Sequence, residues 1–121
     1  VFGKAYAHLN NNGIFLFDIN TQAKLNCHIA DPPYVRHFGR NVMIMNVTSG
    51  GRGLTNWNVK IFETHNGATF RLHEEDIQEK SFPVTQITMS LRKRFRTVTV
   101  IDPKRTRPSA KSETLYFVCG K

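Results

Sequence analysis

Apolar and polar positions follow two kinds of pattern along this chain. Residues 13–19 (GIFLFDI) are apolar at nearly every position and predict a strand with apolar side chains on both faces. After the polar turn Asn20-Thr21-Gln22, the pattern changes to strict alternation: Leu25, Cys27 and Ile29 on one face, Lys24, Asn26 and His28 on the other. Period-two alternation marks a strand buried on one side. Together the two segments predict a hairpin that turns a polar, basic face outward.

The same pattern extends along most of the chain. Residues 1–9 read as a strand, with Gly3 permitting a bend. Asp31-Pro32-Pro33 closes the hairpin, and residues 34–39 form a short connector of about one helical turn. Residues 40–48 alternate Val42 and Ile44 against Met43, Met45 and Val47. Residues 56–64 set Trp57, Val59 and Ile61 against Asn58, Lys60 and Phe62. Between these two strands, residues 49–53 (SGGRG) make a flexible loop. His65-Asn66-Gly67 is a hairpin turn of the favoured Asn-Gly type, followed by a strand over 68–73. Residues 84–91, 97–101 and 115–119 read as further strands, and 102–112 as a mobile basic loop.

Short strands with Gly and Asn turns and little helix predict an all-β architecture. Their order suits a five-stranded Greek-key barrel of the oligonucleotide/oligosaccharide-binding type. On this expectation the chain is a single domain over 1–121, with a barrel core at about 1–91 and a basic C-terminal extension over 92–121 that holds a closing strand. An immunoglobulin-like sandwich is the main alternative, but Cys27, Trp57 and Cys119 do not have its usual spacing.

Charge changes the picture. Seventeen Lys and Arg face nine Asp and Glu, giving a net charge of +8 and a pI near 9.9. A pI above about 9 is a footprint of nucleic-acid binding, although membranes and acidic proteins also attract such domains. At 121 residues, 40% of them hydrophobic, the chain can bury a core of its own. No apolar run approaches the ~20 residues that span a bilayer. The chain begins at Val1 without an apolar leader, so an excised domain or processed product is expected. The two cysteines are expected as free thiols in a reducing compartment; a Cys27–Cys119 bond belongs to the alternative of a secreted β-protein.

The segment Asn20-Thr21-Gln22-Ala23-Lys24-Leu25-Asn26-Cys27 resembles the central hairpin of the protection-of-telomeres (telomere end-binding) family. There a polar turn leads into a Lys-Leu-x-Cys strand in the first single-stranded-DNA-binding barrel. Asp18, Gly39 and Val59-Lys60-Ile61-Phe62 fit the same pattern, so the resemblance covers about residues 1–73. Ala30 departs from it, standing where the family often has an aromatic; Tyr34 is the substitute at hand. The resemblance implies a non-enzymatic, cofactor-free protein that binds the G-rich telomeric single strand. It also implies a nuclear, chromosome-end location, a monomer, and telomere-protein partners of the shelterin kind. A general single-stranded DNA or RNA module, or a β-sandwich that binds an acidic protein, are the alternatives.

Single-strand binding needs cations along the backbone and flat faces for bases. Lys24, Asn26 and His28 supply one polar face. Lys60 and Phe62 share a second with Asn58, and Phe62 is the leading stacking residue. Tyr34 and Trp57 are further platforms, Trp57 being more readily a core residue. Thr48 and Arg52 flank the Gly-rich loop, and Arg71 points outward. One pair from the apolar strand, such as Phe15 and Phe17, is available for stacking. The basic runs at 92–96 and 104–111 add salt-dependent affinity, act as an import signal, or simply solubilise. Five scattered histidines without ligand spacing argue against a metal or nuclease centre. The acidic stretch 74–79 reads as a solvated segment.

Overall fold

The computed structural model describes residues 1–121, in the order α1 (Phe2–His8), β1 (Ile14–Asn20), α2 (Gln22–Ala30), β2 (Tyr34–Phe38), β3 (Asn41–Gly51), β4 (Leu54–His65), β5 (Thr69–Lys80), α3 (Val84–Arg92), β6 (Thr97–Ile101) and β7 (Thr114–Gly120). The chain divides into two compact units: residues 1–25 with 81–121, and residues 26–80. The strands form two separate antiparallel sheets, ordered β1-β7-β6 and β2-β3-β4-β5. There is no closed five-stranded barrel, and the all-β expectation gives way to a mixed α/β architecture.

Three segments expected as strands are helices. In α1, Phe2, Tyr6 and Leu9 recur at i, i+4 and i+7 and pack on the core; the helical period outweighs Gly3. In α3, Val84, Ile87 and Leu91 form the same kind of stripe behind Pro83, which suits a helix start. In α2, Leu25 and Ile29 are also four apart, so the alternating pattern equally describes one helical side. Gln22, Ala23, Lys24 and Leu25 are good helix formers. Thr21 begins the helix: its carbonyl accepts from Leu25 N–H at 3.1 Å and its Oγ1 from Lys24 N–H at 3.4 Å. Asp31-Pro32 ends it.

In the first unit, the sheet presents Phe15, Phe17 and Ile19 from β1, Leu115, Phe117 and Cys119 from β7, and Val98 and Val100 from β6 to one side. These are packed with Leu91 and Phe95 and with side chains of α1 and α3. Phe17 stacks on Phe117 at 4.9 Å and on Phe15 at 5.0 Å. Phe15 and Phe17 are therefore core residues, and the outward positions of β1 are Ile14 and Leu16, 66% and 61% exposed. The expected closing strand lies at the centre of this sheet: β7 pairs with β1 from Ile14↔Gly120 to Asn20↔Thr114 and with β6 on its other side. The basic loop before it is pinned rather than loose. Asp102 accepts Lys104 N–H at 2.8 Å, and Ser112 Oγ accepts Ser109 N–H at 2.8 Å.

The second unit is a meander. The Asn66-Gly67 turn is present, both residues at positive φ (49° and 79°) as such a turn requires. The β3–β4 hairpin closes tightly through Gly51, Arg52 and Gly53, all at positive φ, with a bulge between Ser49 and Gly51. Residues 34–38, expected as a connector, are an edge strand. The acidic stretch 74–79 is strand, paired residue by residue to β4. Of residues 26–80, only Val47 and Thr55 are buried, so this is a thin, open sheet.

Candidate functional site

Strand register in the second unit decides which side chains meet. Tyr34 is opposite Met45, Met45 opposite Val59, and Val47 opposite Trp57, so these five share one face of the sheet. His28, in the last turn of α2, lies on that face, its ring edge-on to Trp57 at 5.0 Å and 61°. The Trp57 indole N–H donates to Thr55 Oγ1 at 2.9 Å, which fixes the ring that His28 rests on. Beside His28 opens a cavity of about 470 Å³. Pro32, Pro33, Val35, Met45 and Val47 make its apolar walls; His28, Asp31 and Tyr34 bring the polar atoms. Clefts of 300–1,000 Å³ with apolar walls and a few convergent polar groups are the usual form of small-molecule sites.

The ten residues expected to bind nucleic acid do not form one groove. His28 and Tyr34 line the cavity and Trp57 supports it. Lys60 and Phe62 lie on the opposite face of the sheet, with Thr48, because alternate residues of β3 and β4 point to opposite sides. Lys60 is paired with Glu74 at 3.4 Å. Arg71 stands opposite Glu63 at the far end of β4 and β5, and Arg52 sits in the β3–β4 turn. Lys24 and Asn26 are on α2; Lys24 lies near Glu113, whose carboxyl is held below its ordinary range chiefly by Lys104. Cys27, expected inward, is exposed on the same helix, while Cys119 is buried and its thiol pushed up by burial; both are free.

Charge is also distributed against the expected groove. Residues 26–80 hold six Lys and Arg and six Asp and Glu, whereas the rest of the chain holds eleven against three. All the net positive charge therefore belongs to the unit built on β1, β6 and β7. On the open sheet, carboxylates have partners: Glu63 is hydrogen-bonded to His73 at 2.8 Å and Glu74 to Asn58 at 2.9 Å, and both are held below their ordinary range by those contacts.

Asp31, Pro32, Pro33, Val35, Met45 and Val47 were not among the expected site residues. The Met43/Met45/Val47 alternation was visible, but the strand character of residues 34–38, which brings Tyr34 beside Met45, was not. No group of three or more His, Cys, Asp or Glu side chains is placed to hold a metal ion. No helix is long and apolar enough to cross a membrane.

No protein-family model matches the sequence, and no curated protein matches it. Among solved structures the chain is similar to an S-adenosylmethionine-dependent methyltransferase from Clostridium acetobutylicum ATCC 824. The TM-score is 0.79 over 98% of this chain, at 16% sequence identity. The chain spans about half of that protein, 48% of its length. The likeness is one of fold. It overturns the telomere end-binding resemblance, and with it the barrel, the single-stranded DNA partner, the shelterin-like partners and the alternatives of a general nucleic-acid module or β-sandwich. The expectation of a non-enzymatic protein does not stand with the family it came from, and the protein whose fold is shared is an enzyme. The physical reason is that the decisive Lys-Leu-x-Cys segment is helical, so no hairpin exists to carry the resemblance.

Proposed function

We propose that this chain forms the acceptor-binding part of an S-adenosylmethionine-dependent methyltransferase. The observation that carries the reading is the fold likeness over 98% of the chain. The cavity beside His28 supplies a place for a small acceptor.

The residues present do not fit the methyl donor. A nucleoside-bearing cofactor on an α/β sheet is expected at a glycine-rich turn from strand to helix, where backbone approaches the ligand closely. Here Thr21 alone separates β1 from α2, and Ser81-Phe82-Pro83 separates β5 from α3, with no glycine at either place. The glycine-rich segment, Gly50-Gly51-Arg52-Gly53, closes a β-hairpin instead. The donor site is therefore assigned to protein outside these 121 residues, and this chain to the acceptor.

The complete gene product that carries this sequence, incubated with methyl-labelled S-adenosylmethionine and a panel of small amines, phenols and carboxylic acids, is expected to label at least one class. Absence of label from every class would overturn the proposal. Residues 1–121 alone are expected to give no heat of binding with S-adenosylmethionine in calorimetry. Saturable binding there would overturn the assignment of the donor site elsewhere.

A further inference from the structure

Resting on that reading, we infer that the cavity beside His28 takes a small primary amine carried on an aromatic ring. Three observations converge. The walls are apolar and partly rigid: two consecutive prolines, fixed in φ, stand with Val35 and Val47, and a flat ring can fill such a slot without ordering the walls further. Met45 adds a thioether, which makes favourable contacts with aromatic edges.

Charge then selects the functional group. Asp31 is the one acidic side chain lining the cavity, and no Lys or Arg lines it, although the chain as a whole carries +8. No ion pair or side-chain hydrogen bond occupies the Asp31 carboxylate; its backbone N–H donates to Cys27 O at 2.9 Å, which seats the residue at the end of α2. An open carboxylate beside apolar walls favours an ammonium and disfavours an anion.

His28 and Tyr34 complete the polar side. The His28 imidazole, held edge-on by Trp57, offers a ring nitrogen to an amine hydrogen. The Tyr34 ring offers a face to a cation. A carboxylate ligand would meet Asp31 as a like charge, and a plain hydrocarbon would leave the polar side unused.

The chain carries its own reporter. Trp57 is the single tryptophan, and its ring lies against His28. Titration with phenethylamine, 3-phenylpropionate and ethylbenzene, read by Trp57 fluorescence and by amide shifts of residues 31–35, tests the site. Phenethylamine is expected to saturate both signals and to bind about three- to tenfold more tightly than 3-phenylpropionate, the range set by one partly exposed charge. Asp31→Asn is expected to erase that preference with the protein still folded. Val35→Phe, at a half-exposed position, is expected to block all three compounds.

Equal affinity for the cation and the anion would overturn the inference, as would saturation that survives Val35→Phe. Binding that persists in a gene product with no methyl transfer would uphold this inference and sink the methyltransferase reading. Transfer to an amine that leaves both signals unmoved would do the reverse.

Discussion

Phe117 shows at a single residue how this chain is held together. It is fully buried, stacked at 6° on Phe17, at the centre of a cluster drawn from β1, β6, β7, α1 and α3. Phe117→Ala is expected to cost about 3–5 kcal/mol, because such a cavity cannot collapse among neighbouring rings; urea unfolding of the two proteins measures it. Asp102 gives a second residue-level prediction. Its carboxyl lies below its ordinary value of 3.8, chiefly through the Ser112 hydroxyl, with the backbone amides of Lys104 and Arg105 and the Arg105 charge adding to it. A depressed carboxyl stabilises the fold above its ordinary value, and that contribution disappears as pH falls through the lower folded value. Asp102→Asn is therefore expected to flatten the acid side of the stability-against-pH curve; an unchanged acid limb would refute the assignment. Neither residue's role was legible locally. Phe117 sits in a short apolar run that any strand could contain, and Asp102 needs Ser112, ten positions on, to acquire its environment.

At the scale of elements, the hairpins joining β3, β4 and β5 were legible, whereas the hairpin expected over 13–30 is absent and no helix was foreseen among the main elements. The Asn66-Gly67 turn and the alternation of β3 and β4 are local signals, and both stand in the structure. Residues 23–29 satisfy period two and period 3.6 at once, since Leu25 and Ile29 are neighbours under either. What separated the two was the start signal at Thr21, whose hydroxyl serves both the Lys24 amide and, as donor, the buried Ser112 carbonyl. Thr21→Val is expected to lose about 1–2 kcal/mol, read from thermal or urea unfolding, because it removes the cap and orphans a buried carbonyl. A neutral substitution would mean that α2 is set by packing of Leu25 alone. The acidic run 74–79 is solvated and strand at once: its side chains are nearly all exposed, while Glu74 and Asp76 are paired across to Asn58 and Lys60 on the neighbouring strand.

At the scale of the whole molecule, the pairing of Ile14 with Gly120 decides the architecture, and no local pattern announces a contact between residues so far apart. That pairing leaves β1 at a sheet edge with Ile14 and Leu16 exposed. An open edge with apolar side chains invites pairing with another strand. The 121 residues alone are expected to self-associate as concentration rises, and Leu16→Lys to suppress this, as followed by light scattering. Equal association in both proteins would place the sticky surface elsewhere, with the exposed Phe70 and Leu72 of β5 the next to test. The uneven division of charge has a practical consequence. The whole net positive charge belongs to residues 1–25 and 81–121. On a cation exchanger at neutral pH, the elution volume would report the integrity of those two segments, while a proteolytic fragment confined to residues 26–80 would pass through unretained.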